Sequence, residues 1–252
     1  MKTWPYPRLF AHRGGGSLAP ENTLAAVKLG QSLGYRAHEF DVKLTKDNVA
    51  MLLHDETLER TTSGRGRAAD FTWKELAALD AGGWHSPAFR GERLASFEAV
   101  ARQLIANGDM ANVEIKPTRG AERETGLAVA REAARLWTGA KVAPLLSSFA
   151  FEALVAAKEA APALPRGWLV DEFGEADWER LAQLEAVSLH TNHKKLDEKN
   201  IARLHERGYR VMLYTVNEPA KAEQLLAAGA DGLFTDNLKV FAERFPQWIS
   251  DG

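Results

Sequence analysis

The chain has 252 residues, 45% of them hydrophobic and 26% charged, which is enough apolar content for one large core. A formal net charge of −2 and a sequence pI of about 6.4 exclude the basic balance of a nucleic-acid binder, although they leave room for a local basic pocket. Cysteine is absent, which removes disulfides, thiolate zinc sites and cysteine nucleophiles.

The opening Met1–Phe10 has two prolines and no apolar stretch, unlike a signal peptide. No apolar run approaches the roughly 20 residues needed to span a bilayer. A cytoplasmic location without stable membrane association is the expectation. Short β-rich runs then alternate with longer amphipathic ones. Strands are predicted at Arg8–His12, Ala37–Val42, Asn112–Ile115, Val142–Ser147, Arg166–Val170, Ala186–His190, Tyr209–Tyr214 and Gly232–Thr235. The helices between and after them fall at Asn22–Leu33, Phe97–Ala106, Glu122–Trp137, Phe151–Ala160, Ala176–Leu184, Asp197–Arg207, Pro219–Ala228 and Leu238–Phe245. Asn22 is a candidate cap for the first helix, and Gly34, Gly208 and Gly229 are candidate left-handed helix ends.

Eight such units in about 250 residues predict an α/β fold, a TIM (β/α)8 barrel. The segment Leu44–Ala95 breaks the rhythm, with a further strand-like run at Val49–His54. It reads as a small insertion after the second strand, so that residues 1–252 form a single domain with a subdomain at about 44–95. Trp73, Trp84 and Phe89 are expected in the core of that subdomain.

Barrel catalysis is expected at the C-terminal strand ends. Here these are His12–Arg13, Glu39–Asp41, Glu114–Lys116, Ser147–Ser148, His190–Asn192, Thr215–Asn217 and Thr235–Asp236, polar at nearly every position. Glu39 and Asp41 lie two apart in a strand and so share a face. Their mutual repulsion is relieved by a cation, and Glu114 could supply a third oxygen. Three carboxylates suit one hard divalent ion, Mg²⁺ ahead of Ca²⁺. Each acid could instead be a solvated strand-end group, but the recurrence at Glu114-Ile-Lys116 favours the metal.

His12 and His54 each end a short apolar run beside a charge, a setting suited to splitting general acid and base duties. His190 is the one other histidine in a comparable position. Arg13 and Lys116 would grip phosphate oxygens, or pair with the neighbouring acids. Gly14-Gly-Gly16-Ser-Leu-Ala19 formally fits a dinucleotide-binding fingerprint. Against this, His12-Arg13 charges the strand end and Pro20 with Asn22 delays the helix beyond the glycines. The glycines are read as letting backbone approach a ligand closely.

Read in order, His12-Arg13-Gly14, Pro20-Glu21-Asn22-Thr23, Glu39-Phe40-Asp41, His54-Asp55, Glu114-Ile115-Lys116 and Thr235-Asp236 resemble the glycerophosphodiester phosphodiesterase family nearly end to end. The opening Trp4-Pro-Tyr-Pro-Arg8 and the triple glycine look closest to its bacterial cytosolic branch, associated with glycerol-3-phosphate uptake. The resemblance implies a TIM barrel and a divalent cation on Glu39, Asp41 and Glu114. It also implies acid–base work by His12 and His54, phosphate contacts from Arg13 and Lys116, and a small glycerophosphodiester as substrate, split into an alcohol and sn-glycerol 3-phosphate. Where relatives often carry Trp-Thr-Val-Asn, this chain has Tyr214-Thr-Val-Asn217, keeping an aromatic wall without the indole.

Overall fold

The computed structural model describes residues 4–250; residues 1–3 of the opening segment lie outside the described residues. The strands are β1 (Leu9–Ala11), β2 (Ala37–Leu44), β3 (Ala50–Leu52), β4 (Met110–Ile115), β5 (Leu145–Ser148), β6 (Arg166–Val170), β7 (Ser188–Asn192), β8 (Arg210–Tyr214) and β9 (Gly232–Thr235). All but β3 are parallel and run β1-β9-β8-β7-β6-β5-β4-β2, and β2 pairs back to β1 through Ala11 and His38 to close the barrel. β3 folds back antiparallel on the outer end of β2, placing Leu52 opposite Val42. The chain therefore forms the predicted eight-stranded TIM barrel with surrounding helices.

Strand periodicity sorts the interior into two packings. Leu9, Ala11, Phe40, Val42, Val113, Ile115, Leu213 and Leu233 face the helices, while Phe10, Ala37, Leu145, Met212 and Phe234 fill the lumen. The alternation is that of the pleat, and it fixes the remaining positions. With Phe40 and Val42 turned outward, Glu39 and Asp41 must turn inward; with Val113 and Ile115 outward, Glu114 does the same.

The helices are α1 (Leu24–Ser32), α2 (Trp73–Leu76), α3 (Phe97–Asn107), α4 (Glu122–Leu136), α5 (Phe151–Ala160), α6 (Asp177–Gln183), α7 (Glu198–Glu206), α8 (Pro219–Ala227), α9 (Leu238–Arg244) and α10 (Pro246–Ser250). Side chains cap several of them as expected of Ser, Thr and Asp: Ser96 Oγ accepts from Ala99 N, and Asp197 from Asn200 N. Gly34, Gly208 and Gly229 have φ of 90°, 84° and 105°, the left-handed conformation anticipated for them. Among the described residues no helix is long and apolar enough to cross a membrane.

Four expectations are corrected. Thr23, not Asn22, caps α1, accepting from Ala26 N at 3.1 Å. Asn22 itself is buried at φ 59°, with its side chain turned away from the helix. The fifth strand starts at Leu145 and not at Val142, after Pro144, which has no N–H to give a ladder. In the insertion, Met51, Leu53, Leu58, Leu76 and Leu94 make a separate small core on which Trp73 packs, but Trp84 is 41% exposed and Phe89 only half-buried. Finally, the close approach made by the glycine run is to the protein's own backbone. A Cβ on Gly16 would lie 2.3 Å from the Asp236 carbonyl oxygen, and one on Gly15 would lie 2.9 Å from Ala26 Cα.

Candidate active site

Glu39, Asp41 and Glu114 project from β2 and β4 into the C-terminal mouth of the lumen, each offering a carboxylate oxygen within 4.8 Å of the others. Register brings them together: Asp41 lies directly across from Glu114 on the neighbouring strand. Glu39 Oε1 is buried without a hydrogen-bond partner, and Glu114 Oε1 has only the Lys116 ammonium, an ion pair at 3.1 Å. Burial, then the charge of Asp41, pushes Glu39 up to about 8; the same two causes push Glu114 up to about 7, against the pull of Lys116. Asp41 stays below the usual carboxylate range. Burial opposes its ionisation, but Lys116, His54, Arg13 and the Asn22 amide outweigh it. The partnerless Glu39 oxygen, buried among three acids, fits a site for a further positive charge, and an all-oxygen donor set suits a hard divalent ion.

Asn22, which reads in the sequence as a helix cap, is instead part of the site. Its Nδ2 donates to Asp41 Oδ2 at 2.8 Å and its Oδ1 accepts from Asp41 N at 3.0 Å, so one side chain fixes both the backbone and the carboxylate. The left-handed conformation of Asn22 makes this possible, one that Asn tolerates better than most residues.

His12 follows β1, and its Nδ1 lies 2.6 Å from Asp236 Oδ1, after β9. Asn217 holds Asp236 in turn, donating to Oδ2 at 3.2 Å and accepting from its backbone N at 2.8 Å. The other ring nitrogen, Nε2, points at Glu39 Oε2, 3.8 Å away. Burial lowers the affinity of His12 for a proton, yet the Asp236 hydrogen bond and the charges of Glu39 and Asp236 raise it overall. His54, beyond β3, is arranged in parallel, with Nδ1 at 2.7 Å from Asp55 Oδ1 and Nε2 at 3.1 Å from Lys116 Nζ. Its proton affinity is lowered, chiefly by burial, against the attraction of Asp41 and Asp55.

Arg13 sits at φ 51°, a left-handed conformation that aims its backbone N–H at Glu39 Oε2, 2.9 Å away. Its guanidinium donates to Glu21 at 2.8 Å and lies 3.9 Å from Asp41. The expected residues thus all converge on one cavity of about 180 Å³, closed on its far side by Phe149, Leu169, His190, Tyr214 and Phe234. His190 is wholly buried, paired with Ser188 Oγ at 2.9 Å, and pushed down to about 3 by burial, so it is a neutral wall residue away from the acids. The Tyr214 hydroxyl donates to the Val170 carbonyl at 2.7 Å.

Residues 12–240 match the glycerophosphoryl diester phosphodiesterase family. The chain belongs to that family. A glycerophosphodiester phosphodiesterase of Caldanaerobacter subterraneus subsp. tengcongensis is 34% identical over 230 residues, covering 91% of this chain and 93% of the relative. A Bacillus subtilis glycerophosphodiester phosphodiesterase is 29% identical over 249 residues, covering 92% of this chain and 84% of the relative. Among solved structures, a phosphodiesterase of Oleispira antarctica in complex with the product sn-glycerol-3-phosphate superposes with a TM-score of 0.89 at 32% identity, over 96% of this chain and 97% of that one. Membership in the glycerophosphoryl diester phosphodiesterase family accords with the polar strand ends, and it leaves no role for the dinucleotide reading of the glycine run.

Proposed function

We propose that this site hydrolyses glycerophosphodiesters to an alcohol and sn-glycerol 3-phosphate, using one divalent cation, Mg²⁺ ahead of Ca²⁺, held by Glu39, Asp41 and Glu114. The observation that carries this reading is the convergence of three carboxylate oxygens within 4.8 Å of one another, flanked by two imidazoles. The relative solved with sn-glycerol-3-phosphate as its product supports the choice of substrate. When bound, the cation would supply Lewis-acid polarisation of the phosphoryl group.

The rest of the chemistry falls to side chains. Arg13 and Lys116 are catalytic-site cations that would bind phosphate oxygens and offset the charge that builds on them. His12 and His54 divide the proton transfers. One Nε2 takes the proton of the attacking hydroxyl as the new P–O bond forms, and the other returns a proton to the departing alcohol oxygen as the old bond breaks. Asp236 and Asp55, each on an Nδ1, hold the rings so that Nε2 of His12 faces Glu39 and Nε2 of His54 faces Lys116. Either water or the neighbouring 2-hydroxyl of glycerol fits as the attacker, the latter through a cyclic phosphate that water opens. Trapping cyclic glycerophosphate by rapid quench identifies the second route, and its absence the first.

The small cavity supports a small-molecule partner. That the protein works in the cytoplasm, without nucleic acid or stable membrane association, is part of the same proposal and rests on the sequence alone. We also take residues 1–252 as one domain whose insertion, about 44–95, contributes His54 to the barrel's site. The deciding experiment is turnover of glycerophosphocholine and glycerophosphoethanolamine with and without chelator. Activity should vanish on chelation and return with Mg²⁺; activity that survives complete metal removal overturns the proposal.

A further inference from the structure

Arg60, in the insertion, touches none of the acids in the cation cluster, yet its guanidinium grips two other carboxylates at once. One edge takes Asp55, with Nε 2.6 Å from Oδ2 and Nη2 3.0 Å from Oδ1. The other takes Glu21, with Nη1 2.7 Å from Oε2 and Nη2 2.8 Å from Oε1. Each carboxylate then passes the constraint inward, Asp55 Oδ1 to His54 Nδ1 at 2.7 Å and Glu21 Oε1 to Arg13 Nη1 at 2.8 Å.

We propose that Arg60 is a positioning residue which sets the orientation of the His54 ring and the Arg13 guanidinium together, tying the insertion to the loop after β1. The inference rests on the functional reading above, which gives His54 and Arg13 their work. Only a planar fork can serve both carboxylates in this way, because a lysine ammonium offers a single point of charge and no second edge. Glu21 needs such a brace: without Arg60 it would keep one partner, Arg13, and nothing would hold its Oε2 in place. Arg60 is also open to solvent, with 44% of its side chain exposed, so a small cation can reach the gap that truncation would leave.

The test measures kcat and KM for glycerophosphocholine on the full chain carrying Arg60→Ala, Arg60→Lys, Glu21→Gln with Asp55→Asn, and the triple combination. Arg60→Ala should lose roughly 10- to 100-fold in kcat/KM, the usual cost of removing a group that orients a site residue. Arg60→Lys should recover little of this, added methylguanidinium should restore part of it, and Arg60→Ala should cost almost nothing further in the doubly substituted background. Near-normal rates in both Arg60 variants, or a full and multiplicative loss in that background, would overturn the proposal. Should Arg60→Ala fail to fold, Arg60→Lys decides alone: a wild-type melting temperature with reduced kcat/KM supports the brace, and unchanged activity removes it. A wild-type protein inactive on glycerophosphocholine would instead strike the functional reading itself.

Discussion

On the side of the barrel mouth built by β1, β2 and β4, the cavity wall carries His12, Arg13, Glu39, Asp41, Glu114 and Lys116. From β5 round to β9 the same cavity is lined by Phe149, Leu169, His190, Tyr214 and Phe234, all neutral. The charged half is held by a mesh of hydrogen bonds through Asn22, Glu21, Asp55 and Asp236; the neutral half is held mainly by packing. The contrast separates two jobs. The charged groups are clustered and braced by other polar groups, while the opposite wall shapes the space and lowers the local dielectric, which strengthens each charge interaction opposite it.

The comparison is most exposed to changes at the histidines. His12→Ala or His54→Ala should cut turnover by roughly 10²–10⁴-fold, the range of a general acid or base. A steady-state assay finding near-normal rates would remove that residue from the charged half's machinery. A smaller effect concerns the acids. Glu39 at about 8 and Glu114 at about 7 lie above ordinary carboxylate values, so the stability tied to their protonated forms is present below about pH 4 and lost as the pH rises through those values. Cation-free protein should therefore gain more in Tm from added Mg²⁺ at about pH 8.5 than at about pH 6, and binding near neutrality should release protons. Equal gains at both pH values in scanning calorimetry would contradict this. The smallest effect is expected across the cavity. Tyr214→Phe removes one hydrogen bond, to the Val170 carbonyl, and should cost about 1 kcal/mol of stability while leaving kcat/KM within a few-fold. A loss as deep as that at a histidine would erase the distinction between the halves.

What was legible in the sequence follows this division. Apolar runs ending abruptly in His12-Arg13, Glu39-Phe-Asp41 or Glu114-Ile-Lys116 announce both a strand and its chemistry, because the period of two decides which acids share a face. The bracing groups carry no such local mark. Asn22 sits where a helix cap is expected, and only its positive φ and its distance to Asp41 disclose the other role. Arg60 is one of several charged residues in a long insertion, and its two partners lie 5 and 39 positions away. Asp236 stood in the family pattern, but its hold on His12 spans 224 positions and depends on β9 lying beside β1. Trp84 departs from the expectation because an aromatic in a Gly-rich stretch reads as core, whereas here its indole N–H is spent on the Ala81 carbonyl, its ring packs edge-on with His85, and 41% of the residue is exposed.

The pairing of the first strand with the last has a temporal consequence. During synthesis His12 emerges early, but its Asp236 anchor is added more than two hundred residues later, and β1 has no β9 to lie against until Gly232–Thr235 has left the ribosome. A nascent chain can already carry every acid of the cluster and both imidazoles and still lack the latch that aims one of them. The His12–Asp236 contact can therefore form only late in synthesis, once the barrel seam closes.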